Sequence, residues 1–249
     1  MLDLFLCFLT AFVVCYLTIP SMVQLAHAKQ LFDIPDERSS HVNHTPSMGG
    51  VAIFASIIFS AFFWAPPNSM GKLQYFMCSL VILFLVGSKD DIIPVSPKKK
   101  LIAQIMAAAI LVLKADVRLG GLYGILGVHT AFPEALTVFI SILTILVITN
   151  SINLIDGING LAGSVVALIV STFGAWFFVT GNMTLAIIAF ATVGAVLAFL
   201  RYNFTPAQLF MGDSGSLILG LITAVLAIEF IDINYHLPID NIYRMQGGP

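Results

Sequence analysis

Eight apolar runs, at about residues 2–20, 49–66, 73–88, 101–115, 134–150, 161–180, 183–200 and 215–232, recur along almost the whole chain. A helix needs about 20 apolar residues to cross roughly 30 Å of hydrocarbon, and these runs reach or approach that length; the run at 101–115 is the weakest. Composition bears on what could cover them: 59% of the 249 residues are hydrophobic and 10% are charged. A soluble domain carries about 25% charged residues, so this chain has too few polar side chains to cover its own apolar surface, and lipid must do it. The expectation is an all-α fold, a polytopic integral membrane helix bundle of about eight transmembrane helices. Met1–Pro20 has no basic n-region and no clear small-residue cleavage site, so it reads as a retained span. Cys7, Cys15 and Cys78 fall inside apolar runs without metal-ligand spacing and read as buried thiols. A formal net charge of -2 argues against a nucleic-acid partner.

Charge is distributed unevenly between the two faces. With residue 1 outside, the loops at 21–48, 89–100, 151–160 and 201–214 fall inside and carry Lys29, Arg38, Lys89, Lys98, Lys99, Lys100 and Arg201; Lys72, Lys114, Arg118 and Arg244 fall outside. Cytoplasmic loops carry the excess of Lys and Arg, which favours this orientation. The same face collects the polar segments PDERSSHVNHTPSMGG (35–50), KDDIIPVSPKKK (89–100), NSINLIDGINGLAG (150–163) and RYNFTPAQLFMGDSGS (201–216). Four chemically dense segments at one face suggest a site assembled there, with a substrate supplied from the cytoplasm.

Each segment has a bland reading beside a chemical one. Asp90 and Asp91 could be a solvated helix end beside lysines; they could equally address a metal–phosphate cluster lying between them, since neighbours on a helix project about 100° apart. Carboxylates are natural ligands of magnesium, which commonly takes one or two of them plus substrate phosphates, and one of the pair could accept a proton. Lys98, Lys99 and Lys100 are either topology anchors or neutralisers of a diphosphate or anionic headgroup. Asn150, Asn153 and Asp156 recur every third residue and so share roughly one side of a helix; they cap a broken helix end or recognise a polar ligand. In FMGDSGS, Asp213 is a candidate N-cap at a helix N-terminus that would attract anions. A carboxylate there repels phosphate unless a divalent cation lies between them. In the first segment Arg38, with Ser39, Ser40 and Thr45, suits phosphate binding through its fork of donors. His41 and His44 are joined by no further His or Cys, so zinc is set aside.

In this order the four segments resemble the polyprenyl-phosphate N-acetylhexosamine-1-phosphate transferases, from about residue 29 to the end of the chain. The resemblance rests on RSSHVNHTPSMGG, DD followed by a lysine cluster, NLIDGING and FMGDSGS together. It implies a single transmembrane transferase domain over 1–249. A membrane-embedded polyprenyl phosphate, here undecaprenyl phosphate, would displace UMP from a UDP-N-acetylhexosamine at the cytoplasmic face of the bacterial inner membrane, with magnesium as cofactor and manganese as its substitute. This is the first membrane step of cell-envelope glycan synthesis. By the same resemblance Asp90 and Asp91 activate the lipid phosphate or help hold the metal, and Asp213 is the metal ligand. Asp156 is placed with the catalytic carboxylates, and with Asn153 lines the nucleotide and diphosphate pocket. Gly157, Ile158 and Phe210 enclose the uracil ring; Lys98 is a basic position after the paired aspartates; Asn150 joins the substrate-binding set, and Arg38 and His41 belong to the first motif. Asn159 stands where many members have a second aspartate, so it can hydrogen-bond a uracil edge and cannot act as a catalytic carboxylate.

The form of the first motif and the loop between NLIDGING and FMGDSGS favour the GlcNAc-1-phosphate branch over the phospho-MurNAc-pentapeptide branch. Family members continue with further spans and a histidine-rich cytoplasmic loop, so the resemblance also implies a C-terminally truncated chain, with an inactive fragment of the transferase as an alternative to an active one; a homodimer is the assembly it allows. The competing reading from another class is an ion-coupled secondary transporter, which would place its ionisable residues near the bilayer midplane.

Overall fold

The computed structural model describes residues 1–29, 45–66, 70–238 and 240–245. The apolar runs become helices because a backbone in hydrocarbon must satisfy its own N–H and C=O groups. Among the described residues the α-helices are α1 (Leu2–Lys29), α2 (Gly49–Trp64), α3 (Met70–Ile92), α4 (Pro97–Lys114), α5 (Glu134–Ile155), α6 (Leu161–Val179), α7 (Met183–Asn203) and α8 (Gly212–His236). Six of them, α1, α3 and α5 to α8, are long and apolar enough to cross a membrane. The 16-residue α2 is shorter. Helix α4 opens on Lys98, Lys99 and Lys100 and closes on Lys114, so its charge sits at its two ends around an apolar centre, where long side chains can reach the interface.

Helix α8 stands at the middle, packed by α2, α3, α5, α6 and α7, while α1 closes the outside against α2 and α7. Helices in lipid associate through close packing, which small residues permit. A Cβ on Gly87 of α3 would lie 2.6 Å from the Ser214 Cα of α8, and one on Gly220 of α8 would lie 2.7 Å from the Thr149 Cα of α5. Gly50 of α2 meets Gly215 of α8 backbone to backbone in the same way. Large apolar side chains such as Phe5, Phe63, Leu85, Phe139 and Leu168 are exposed on the outside of the bundle, the surface that faces acyl chains.

Three boundaries differ from the sequence reading. Helix α1 runs on through Pro20 to Lys29. Helix α3 extends to Ile92 and so includes both aspartates. Helix α8 begins at Gly212, which puts Asp213 inside its first turn instead of at the cap. At the end of α3 and the start of α8 the polar residues that lengthen the helix find partners, Asp91 in the backbone N–H groups of Asp213 and Ser214 and Asp213 in the Asn153 amide. Cys7 and Cys15 are buried as expected, but Cys78 is exposed, because its position on α3 faces away from α4 and α8.

Candidate functional site

Alternating chain direction brings one end of every helix to the same face, and there the last turn of α3, the first turn of α4, the end of α5 and the start of α8 meet. Lys100 joins them. Its Nζ lies 2.6 Å from Asp90 Oδ2 and also pairs with Asp213 Oδ2. The other oxygen of Asp213 accepts a 2.9 Å hydrogen bond from Asn153 Nδ2, which also donates to Ser216 Oγ at 2.8 Å. Asp90 Oδ1 accepts from the Val95 backbone N–H at 2.6 Å, which ties the α3–α4 connection to the same carboxylate. These groups are partly open: the side chains of Asp90, Lys100 and Asp213 are 16%, 26% and 23% exposed.

Asp91 points elsewhere. Its two oxygens accept from the backbone N–H groups of Asp213 (2.7 Å) and Ser214 (3.2 Å). The first N–H groups of a helix have no intrahelical acceptor and carry the positive end of its dipole, so Asp91, from a different helix, caps α8. Gly212, with φ +72°, makes this approach possible: a Cβ there would lie 2.6 Å from Ser47 O and 2.7 Å from Asp91 Oδ1. The anion-attracting terminus read from FMGDSGS therefore exists, and a protein carboxylate holds it.

Asp156, just past the end of α5, completes the group. Burial first, then the charges of Asp213 and Asp91, push its carboxyl up to about 8, opposed by a hydrogen bond from the Gly212 backbone. Two loops frame the cluster. Asn203 is a buried amide at the end of α7 that accepts from Gly160 N at 2.8 Å and donates to Leu209 O at 2.9 Å. The segment before α2 pairs with the segment before α8 through Phe210 N to Pro46 O (2.7 Å), Gly49 N to Phe210 O (2.9 Å) and Gly50 N to Met211 O (2.8 Å).

The residues singled out in the sequence are not all brought together. Asp90, Asp91, Asn153, Asp156 and Asp213 gather within this one network. Asn150 lies one turn back along α5, where its amide exchanges hydrogen bonds with Gln104 of α4 at 2.7 and 3.2 Å; helix pairing, not the carboxylate cluster, engages it. Lys98 is exposed and makes no ion pair among the described residues; Lys100, two positions on, is the lysine that reaches the carboxylates. Gly157 and Ile158 are exposed on the loop after α5, with nothing near the Gly157 Cα that a side chain would strike. Asn159 donates to Thr205 Oγ1 at 3.3 Å, linking that loop to the one before α8. Phe210 is half-buried beside Pro46. Arg38 and His41 lie outside the described residues. Asn203 escaped the sequence reading, and Lys100 entered it only as one of three lysines, with Lys98 the one singled out. Lys100 was hidden among three consecutive lysines, and Asn203 gave no signal beyond being a polar residue at the end of an apolar run.

Among the described residues no three His, Cys, Asp or Glu side chains stand close enough to share one metal ion. The donors that do gather are all oxygens, and the carboxyl groups outnumber the one ammonium that pairs with them. That set suits a hard cation held by one or two carboxylates and completed by phosphate oxygens and water, with Asp213 and Asp90 the available ligands once Lys100 turns to a phosphate. It does not suit an ion that needs an all-protein cage.

A family model described as glycosyl transferase family 4 matches residues 73–231, from the first turn of α3 through most of α8. A phospho-N-acetylmuramoyl-pentapeptide-transferase of Campylobacter jejuni subsp. jejuni serotype O:6 (strain 81116 / NCTC 11828) is 31% identical over 241 residues, covering 84% of this chain and 68% of its own. Another protein of that name, from Streptococcus pneumoniae (strain 70585), is 32% identical over 199 residues, covering 74% of this chain and 59% of its own. The chain thus spans less than two thirds of the pneumococcal relative.

Proposed function

The chain belongs to glycosyl transferase family 4, and we propose that it transfers an amino-sugar 1-phosphate from a UDP-linked donor to a polyprenyl phosphate. The observation that carries this reading is the Asp90–Lys100–Asp213–Asn153 network, with Asp91 and Asp156 fastened to the start of the same helix, at one end of an apolar bundle. An ion-coupled transporter would need such groups near the middle of the bilayer; these lie in the last turn of α3, the first turns of α4 and α8, and just past α5.

In the proposed reaction an oxygen of the lipid phosphate attacks the donor phosphorus that bears the sugar. The bond from that phosphorus to UMP breaks, UMP leaves with the electron pair, and a diphosphate now links lipid and sugar. The second ionisation of a phosphate monoester lies near pH 6, so at neutral pH the nucleophile is already largely deprotonated and a strong general base adds little. The chief task is to bring two anionic phosphates together in line, which alone supplies about 7–11 kcal/mol in well-oriented systems. Lys100 is placed to give its charge to the donor diphosphate, and Asp90 and Asp213 hold it in position until then. Asn153 orients Asp213 through its amide, and Asp91 fixes the backbone that carries Asp213. Magnesium, with manganese as a substitute, would supply charge neutralisation on the diphosphate when bound at Asp213 and Asp90. Arg38 and His41 are assigned to phosphate and sugar-nucleotide contacts, and Gly157, Ile158, Asn159 and Phe210 to the uracil end. The acting face is the cytoplasmic one of a bacterial inner membrane, where UDP-sugars are made.

For the sugar, GlcNAc-1-phosphate is the first reading, supported by the RSSH form of the opening motif. Phospho-MurNAc-pentapeptide is the second, supported by the names of the relatives matched above. Membranes containing the protein, given undecaprenyl phosphate and a panel of radiolabelled UDP-sugars, should release UMP and form lipid-linked product with UDP-GlcNAc. Product from the MurNAc-pentapeptide donor alone selects the second reading; an absence of lipid-linked product from every donor defeats both.

A further inference from the structure

At the opposite end of the bundle from the carboxylate network, a cavity of about 720 Å³ opens between the start of α3, the end of α4, the α6–α7 connection and the last third of α8. Along α8, Glu229 on its wall is sixteen residues from Asp213, about 24 Å at 1.5 Å per residue, so the two sites share no side chain. The size falls in the range of small-molecule sites. Its deep wall is apolar, with Phe76, Leu111, Ile188 and Val225 on four different helices. Its charged groups are Lys72, Glu229 and Asp232, with Asn182 and Thr184 as neutral polar neighbours.

Glu229 is the unusual member. It interrupts the apolar stretch LITAVLAIEFI, and its side chain is 12% exposed. Among the described residues its one ion pair is with Lys72 Nζ at 3.9 Å, the outer limit of such a contact, and the Lys72 side chain is itself 67% exposed. A carboxylate so enclosed in a membrane bundle is costly unless a cation or donor meets it, and Lys72 meets it poorly. Asp232, three residues on and so on the same side of α8, adds a second carboxylate to the cavity, steadied by a 3.2 Å hydrogen bond from Tyr123 Oη. The pocket therefore combines an apolar wall, a poorly compensated Glu229, a second carboxylate on Asp232 that meets Tyr123 and, at 3.6 Å, His236 Nδ1, and an exposed ammonium at the mouth, at a helix end where lipid headgroups lie.

We infer that this cavity binds a phospholipid with a primary-amine headgroup, its ammonium between Glu229 and Asp232, its phosphate toward Lys72 and its acyl chains along the apolar wall. Charge complementarity selects this occupant. A phosphatidylglycerol headgroup offers Lys72 its phosphate and offers the two carboxylates no cation. A choline headgroup brings positive charge but no N–H to donate, whereas an ammonium presents three donors. The assignment is independent of the transfer reaction.

The test is to purify the 249-residue protein in mild detergent, add an equimolar mixture of phosphatidylethanolamine, phosphatidylcholine and phosphatidylglycerol, and measure the lipids retained by native mass spectrometry. The protein should retain phosphatidylethanolamine preferentially. Glu229→Gln, which keeps the shape of the wall, should lower that retention roughly tenfold, the equivalent of one charge-assisted hydrogen bond. Asp232→Asn, at a more exposed position, should lower it less, and retention of phosphatidylglycerol should not fall in either variant. Equal retention of the three lipids by the parent protein, or a phosphatidylethanolamine preference unchanged in Glu229→Gln, overturns the inference.

Discussion

Asp91 and Asp213 are the same residue type a few ångströms apart, and their partners give them different work. Both oxygens of Asp91 are taken by backbone N–H groups of α8, so it positions; Asp213 faces a lysine and an amide, groups that a substrate phosphate or a cation can replace. Asp91→Ala should therefore lose a helix cap, about 1–2 kcal/mol, read as a lower thermal midpoint in detergent. Asp213→Asn should leave that midpoint close to the parent value while abolishing metal-dependent UMP release; undiminished release would remove Asp213 from the mechanism. Asp156 gives a pH signature. Its folded-state carboxyl is raised to about 8, so between the ordinary carboxylate range and pH 8 the folded protein holds a proton that the unfolded chain has lost. Its contribution to stability is complete below about pH 4 and declines as pH rises toward 8. In buffer without divalent cations, Asp156→Asn should flatten the fall of the thermal midpoint across that interval and raise the midpoint at its alkaline end.

Between elements, the site depends on how closely α8 is approached. Gly87 lets the end of α3 rest on the first turn of α8, and that contact sets where both Asp90 and Asp91 stand. Gly87→Val keeps the residue apolar but drives a side chain into backbone that cannot yield, so the carboxylates must shift. A displacement of about 1 Å in a positioned site can cost a hundredfold in rate, and a loss of turnover of that order is expected even where the protein still inserts. Beside the exposed Asn159–Thr205 bond, one buried amide ties the loops together: Asn203 satisfies Gly160 N and Leu209 O at once. Asn203→Ala would leave both unpaired in a buried place, about 1–3 kcal/mol for each group, and protease nicking within 156–160 or 204–211 should become faster in that variant.

At the scale of the molecule, the alternation of helices brings the ends of α3, α5 and α7 and the starts of α4 and α8 to one face, and the proposed topology, read from the loop lysines, puts that face in the cytoplasm. In a variant lacking the native cysteines, Lys98→Cys should resist a membrane-impermeant maleimide added to intact cells and react once the cells are opened, whereas His129→Cys, in the connection between α4 and α5, should react from outside. The reverse pattern would turn the protein over in the membrane and separate the site from any cytoplasmic sugar nucleotide.

Helix number and approximate position were legible in the residues, because the length and apolarity of a run bear directly on whether it can satisfy its backbone in lipid. The four polar segments could be read as one site for a related reason: an even or odd number of crossings decides which face each loop occupies. Direction around a helix was a different matter. Three consecutive lysines project about 100° apart, and only the packing of α4 beside α3 and α5 sends Lys100 rather than Lys98 to the carboxylates. The same holds for Cys78, exposed by the rotation of α3, and for Asn150, turned toward Gln104. It holds most of all for the start of α8, where a carboxylate ninety-one places into the chain caps a helix that begins at Gly212. Crossing the membrane is a property of each segment alone, so sequence determines it; which side chain meets which is a property of pairs of helices, and only their packing decides it.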